Sequence, residues 1–223
     1  GYDSAGIAFI DDDKLLRHRL VGRVDALIER MDSVEGSTTI AIGHTRWATT
    51  GAVTEENAHP HFDISGRVAI VHNGIIEQTN LIRQRLIDEG VELQSETDTE
   101  LIAVLTGMAL DEGAKSLLEA LKTVMSQLRG TWGICAIHLD EPETIVCTRT
   151  GSPLVVGLSD DASFISSDPH ALAKHTKRVV YLEDGDFAVL QPGTIDTSRI
   201  DRMKTTVKIS TLEDVWQLDE LGN

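Results

Sequence analysis

The stretch 131-TWGICAIHLDEPETIVCTRTG-151 decides the fold. Two apolar segments, Thr131 to Leu139 and Thr144 to Thr148, flank the turn-like Asp140-Glu141-Pro142-Glu143, so they read as an antiparallel hairpin with Cys135 and Cys147 as neighbours on it. Downstream, short β-rich segments follow at Leu154 to Gly157, Ser163 to Ser166, Arg178 to Leu182, Asp186 to Leu190 and Thr194 to Asp196. Upstream, strands are expected at Ser4 to Ile10, Lys14 to Leu20, Thr38 to Gly43 and Arg67 to His72. Helices are expected at Val24 to Met31, at Asn80 to Glu89, from the "SETDTE" segment onward with Leu101, Val104, Leu105 and Met108 on one face, and at Ala114 to Leu128. Strands outnumber helices and many are joined by hairpin-length turns. The expectation is an α+β chain with mostly antiparallel pairing, two stacked sheets and helices covering the outside.

Composition sets outer limits. The 223 residues are 41% hydrophobic and 25% charged, as in an ordinary globular domain, and the formal net charge is −16. Nonspecific binding to nucleic acid or an anionic membrane would work against that field, so neither is expected as a partner. No apolar run approaches the roughly 18 residues needed to cross a bilayer, and the opening "GYDSAGIAFIDDD" lacks the pattern of a signal peptide. A cytoplasmic protein is expected, with its two cysteines buried and reduced. The chain starts without methionine on a strand already under way, which reads as an unnatural amino terminus. The acidic "KISTLEDVWQLDELGN" reads as a linker. The expected division is a domain over 1–208, incomplete at its amino end, and a linker over 209–223.

Four pieces carry chemistry: "HTRWATTG", "NAHPH", "HNGIIEQTN" and "SETDTE". Arg46 falls at the end of a strand, where a planar guanidinium can clamp a carboxylate or phosphate. Asp98 stands in the first turn of a helix whose Thr97 and Glu100 form a capping box, and it would suit an ammonium group. Together Arg46 and Asp98 would recognise an amino acid zwitterion. Asn73-Gly74 resembles a hairpin turn, but a helix follows it, and a side-chain amide beside a glycine N–H makes a workable oxyanion hole. The segment from His44 to Gly66 is long and aperiodic yet holds Trp47, Phe62 and three histidines, so it reads as a functional loop. "HPH" at His59 and His61 lacks a second ligand pair, and neither metal nor cofactor is expected.

These pieces, with "GYDSAG", "RTGSPLVVGL" and "SSDPHAL", occur in an order and at spacings that resemble the glutaminase domain of the glutamine-fructose-6-phosphate aminotransferases, a class II glutamine amidotransferase family. The resemblance runs through essentially the whole chain. It implies a four-layer αββα sandwich of the N-terminal-nucleophile hydrolase type, in which an N-terminal cysteine attacks the side-chain amide of glutamine. It implies that Arg46, helped by Thr49 and Thr50, holds the glutamine carboxylate and that Trp47 helps close the pocket. Asn73 and Gly74 then form the oxyanion hole and Asp98 takes the ammonium. In the full-length enzyme the ammonia goes to a downstream sugar-phosphate isomerase domain that converts fructose 6-phosphate to glucosamine 6-phosphate, and the protein is a homo-oligomer.

Two departures stand out. Many relatives carry histidine where this chain has Thr50. The family's nucleophilic cysteine, borne on a strand before "GYDS", is not among the residues given, and Cys135 and Cys147 match no motif position for it. Two alternatives follow: a non-catalytic glutamine-binding module, or the glutaminase of a purine-pathway phosphoribosyl amidotransferase.

Overall fold

The computed structural model describes residues 2–32, 37–47, 51–201 and 204–212. Thr49 and Thr50, and residues 213–223 of the expected linker, lie outside the described residues. In chain order the elements are β1 (Ser4–Asp11), β2 (Lys14–Val21), α1 (Val24–Met31), β3 (Ala41–Arg46), β4 (His61–Phe62), β5 (Val68–Ile76), α2 (Thr79–Asp88), α3 (Asp98–Asp111) and α4 (Leu117–Gln127). There follow β6 (Gly130–His138), β7 (Ile145–Thr150), β8 (Val155–Leu158), β9 (Ser163–Ser166), a 3-10 turn (Pro169–Leu172), β10 (Arg178–Tyr181), β11 (Phe187–Gln191), β12 (Thr194–Ser198) and β13 (Ser210–Thr211).

The hairpin of β6 and β7 is the centre of a six-stranded sheet ordered β12-β11-β7-β6-β5-β4, with Cys135 directly opposite Cys147. Side chains alternate across it. Ile134, Ala136, Val146, Val68, Ile70 and Phe187 face α3 and α4, and Cys135, Ile137, Cys147, Ala69, Val71 and Ala188 face a second sheet layer. That layer consists of β2-β1-β3 and β13-β10-β8-β9, side by side as two separate sheets. Ala8, Ile10 and Ile42 come from the first sheet, and Val156, Leu158 and Val180 from the second. On the far side α1 packs on β1 and β2, and Leu172 of the 3-10 turn packs on Val155 and Val179. The result is the four-layer αββα sandwich, with every strand-to-strand pairing antiparallel among the described residues.

Local chemistry moved several expected boundaries. Helix α4 begins at Leu117, not Ala114, because the Ser116 side chain caps it by accepting from the Glu119 N–H at 3.2 Å. Helix α3 is buried on two faces: Leu101 and Val104 pack with Leu86 of α2, while Ile102 and Ala103 join the main core. Strand β5 does not stop at His72; Asn73 and Gly74 continue the ladder opposite Gly133 and Trp132. Ser210–Thr211, expected in the linker, pairs with β10 and Leu212 is buried behind it, so the ordered sheet reaches past residue 208. No helix among the described residues is long and apolar enough to cross a membrane.

Candidate active site

A cavity of about 610 Å³ opens between the edge of β3 and the edge of β9, floored by β5 and β6. Arg46, Trp47, Asn73, Gly74 and Asp98 all line it. Five of the seven residues expected at the site thus meet there, from three segments remote in sequence.

Arg46 ends β3, opposite Ser4 of β1, and is 5% exposed. Its Nη1 donates to the Ala52 carbonyl at 3.3 Å. Loss of hydration pulls its pKa down, and the nearby Asp3, Asp98 and Glu96 carboxylates pull it back up. Ala52 is held in turn by Glu96 and Asn57. The Glu96 carboxylate accepts from Ala52 N–H at 3.0 Å and Asn57 Nδ2 at 2.9 Å, and the Asn57 amide oxygen accepts from Glu96 N–H at 2.8 Å. This reciprocal pair ties the loop after β3 to the turn before α3. Sequence reasoning missed both partners, although each sits in a quoted motif, because no local periodicity links residues 39 positions apart. Trp47 is 68% exposed and meets the Tyr2 ring edge-on at 6.5 Å.

Gly74 has φ +149°, and a Cβ there would collide with the Thr131 carbonyl and stand 2.9 Å from His72 Nε2. Only glycine allows this approach of the two strands. Asp98 opens α3. Its Oδ2 accepts from Ile76 N–H at 2.9 Å, which anchors the helix start to the end of β5, and its Oδ1 faces Thr99 Oγ1 at 3.4 Å and His72 Nδ1 at 3.6 Å. Burial opposes its charge, but contacts with His72, Ile76 N–H and Thr99 outweigh it and leave the carboxyl below its ordinary pKa. The expected capping box is half present. Thr97 Oγ1 accepts from Glu100 N–H at 3.3 Å, whereas Glu100 turns to Gln94 N–H at 2.6 Å and Ser95 N–H at 2.7 Å.

Four histidines are packed together at the cavity wall, with His44, His59 and His72 lining it and His61 behind them. His44 and His59 stack with ring centroids 4.4 Å apart, and His61 meets His59 edge-on at 5.0 Å. His61 Nε2 bonds Thr97 Oγ1 at 3.0 Å, and His59 and His72 share Thr99 Oγ1 at 3.3 and 3.2 Å. "HPH" therefore anchors the start of α3. Burial, then neighbouring His72 and Arg46, pushes His44 down to about 4, and burial drives His59 and His61 well below their ordinary value. The cysteines behave oppositely: burial raises Cys135 to about 12 and pushes Cys147 well above its ordinary value, so neither offers a thiolate.

The family model described as "glutamine amidotransferase domain" matches residues 44–174. The glutamine-fructose-6-phosphate aminotransferase (isomerizing) of Fusobacterium nucleatum is 39% identical over 220 residues, 99% of this chain and 35% of that protein. The enzyme of the same name from Neisseria meningitidis serogroup B is 46% identical over 190 residues, 85% of this chain and 31% of that protein. The chain spans about a third of the length of these curated relatives. Among solved structures, the glutamine phosphoribosylpyrophosphate amidotransferase of B. subtilis superposes with a TM-score of 0.72 at 25% identity, covering 90% of this chain and 44% of that one. The chain belongs to the glutamine amidotransferase domain family.

Proposed function

We propose that this domain binds glutamine in the cavity between β3 and β9 and hydrolyses its side-chain amide to glutamate and ammonia. In the complete protein the ammonia aminates a sugar phosphate held by a downstream isomerase domain. The observation that carries this reading is the convergence of Arg46, Asn73-Gly74 and Asp98 on one cavity. Arg46 receives the α-carboxylate, Asp98 the α-ammonium, and the Asn73 amide with the Gly74 N–H the carbonyl oxygen as it becomes an oxyanion. Thr49 and Thr50 assist Arg46 at the carboxylate, and Trp47 closes the mouth of the site. The nucleophile is the N-terminal cysteine that the family resemblance assigns, on an extended segment that would seat between the facing edges of β3 and β9. Its own α-amino group takes the thiol proton, the thiolate adds to the amide carbon, the C–N bond breaks as that proton passes to the leaving nitrogen, ammonia departs, and water then hydrolyses the thioester to glutamate and the free thiol.

The higher identity to sugar aminotransferases than to the phosphoribosyl enzyme favours a sugar phosphate as acceptor. Facing thiols that remain free, Cys135 and Cys147, fit a reducing compartment, and we place the protein in the cytoplasm. Calorimetry with L-glutamine tests the pocket. Arg46→Ala should weaken binding by about 2 to 5 kcal/mol, the range for removing one side of a buried charge pair. An unchanged dissociation constant would remove the assignment.

A further inference from the structure

The hydrogen bonds around Asn57 leave its amide a single orientation. Its Nδ2 faces the Ala52 carbonyl at 3.0 Å and Glu96 Oε2 at 2.9 Å, both acceptors, and its Oδ1 faces the Glu96 N–H at 2.8 Å. A flipped amide would set oxygen against oxygen twice, so both Nδ2 protons are committed. Glu96 Oε2 also accepts from Ala52 N–H at 3.0 Å, and these bonds, that from Ala52 first, hold its carboxyl below the ordinary range. Ala52 is thereby gripped at both its N–H and its carbonyl. The same carbonyl accepts from Thr54 N–H at 3.1 Å and from Arg46 Nη1 at 3.3 Å. Gly51 lies against the pair, since a Cβ there would stand 3.1 Å from Asn57 Nδ2 and from Glu96 Oε2, at φ +78°.

We propose that Asn57 and Glu96 are positioning residues that hold the Ala52 carbonyl on Arg46 and so fix the guanidinium that receives the glutamine α-carboxylate. The inference rests on the glutamine reading of the cavity for its ligand, but the grip on Arg46 stands on contacts alone. Three replacements separate position from charge. Glu96→Gln keeps an oxygen able to accept from Ala52 N–H and Asn57 Nδ2 while removing the charge that acts on Arg46 through space. Glu96→Ala removes both, at a position exposed to solvent. Asn57→Asp keeps the acceptor for Glu96 N–H but turns an oxygen toward the Ala52 carbonyl and the Glu96 carboxylate.

The experiment is nitrogen-15 NMR of the Arg46 guanidinium, assigned by its loss in Arg46→Lys, in the wild-type chain and the three variants. Alongside it, ligand-observed NMR gives affinities for L-glutamine and for 4-aminobutanamide, which lacks the α-carboxylate. In Glu96→Ala and Asn57→Asp the Arg46 Nε resonance should shift and the Nη protons should exchange faster. Glutamine should then bind about tenfold or more weaker, as for one lost hydrogen bond to a charged group, with 4-aminobutanamide little affected. Glu96→Gln should stay close to wild type in both readouts. A Glu96→Gln chain as impaired as Glu96→Ala would make the effect one of charge and overturn the proposal. A lower urea midpoint with both ligands weakened alike would mark a merely structural pair and overturn it too, as would unmoved Arg46 resonances in a folded Glu96→Ala chain. If Asn57→Asp fails to fold, Glu96→Ala decides alone. A released Arg46 in a variant of a chain that binds no glutamine upholds the grip on the guanidinium and rejects the substrate reading.

Discussion

Acidification should unfold this domain through its histidine cluster before its carboxylates matter. His44, His59 and His61 are neutral in the fold because burial holds their pKa values down, His44 to about 4. In the unfolded chain each titrates near its ordinary value of about 6.5. Below that pH the unfolded state binds more protons than the fold, so stability is complete above about 6.5 and falls as the pH drops toward the folded values. For His44 alone the interval from about 6.5 to about 4 corresponds to about 3 kcal/mol. Three such groups give a slope approaching about 4 kcal/mol per pH unit, against a typical domain stability of about 5 to 15 kcal/mol. At pH 5 the three groups together should take about 6 kcal/mol, a large share of that margin. The assay is urea denaturation followed by far-UV circular dichroism from about pH 7 to about pH 5, a window in which carboxylates stay ionised. His44→Phe preserves a ring against His59 and should reduce the slope by about a third. A flat stability profile across this window, or an identical slope in His44→Phe, would refute the reasoning.

Four further outcomes follow. Gly74→Ala forces a Cβ into the Thr131 carbonyl at φ +149° and should cost about 3 kcal/mol or more, read as a lower urea midpoint. Glu100→Ala leaves the Gln94 and Ser95 N–H groups without their buried acceptor and should cost about 1 to 3 kcal/mol for each, read in the same assay. Trp47 is largely exposed, so saturating glutamine should shift its emission to the blue and slow iodide quenching; Trp47→Phe should abolish the change, and an unresponsive wild type would deny it a closing role. The Cys135 and Cys147 thiols should react with a disulfide reagent no faster than the domain opens, and a burst of labelling at neutral pH would contradict their burial.

Strong local signals made the skeleton legible. The turn "DEPE" between two apolar runs sets Cys135 against Cys147, and α1 occupies the expected Val24–Met31 because its flanking strands and polar breaks bound it on both sides. Boundaries shifted where a side chain or a tertiary partner competed with the local pattern. Ser116 delayed α4 by capping it, β6 extended β5 through Asn73-Gly74, and the short β4 and β13 exist only because β5 and β10 present edges to them.

By itself the sequence determined the antiparallel, layered class, since period, turn chemistry and ordered motifs are local properties written in one dimension. It also named Arg46, Asn73, Gly74 and Asp98 as candidates. Only the tertiary structure decided that β3, β5 and the start of α3 bring them to one cavity, and that Asn57 and Glu96 lock the loops around it. The same holds for the packing of His44, His59, His61 and His72, half of the eight histidines in the sequence. Their contacts depend on Thr97 and Thr99 at the start of α3 lying within reach of His59, His61 and His72, and side-chain hydrogen bonds between remote segments leave no periodicity by which they could have been foreseen.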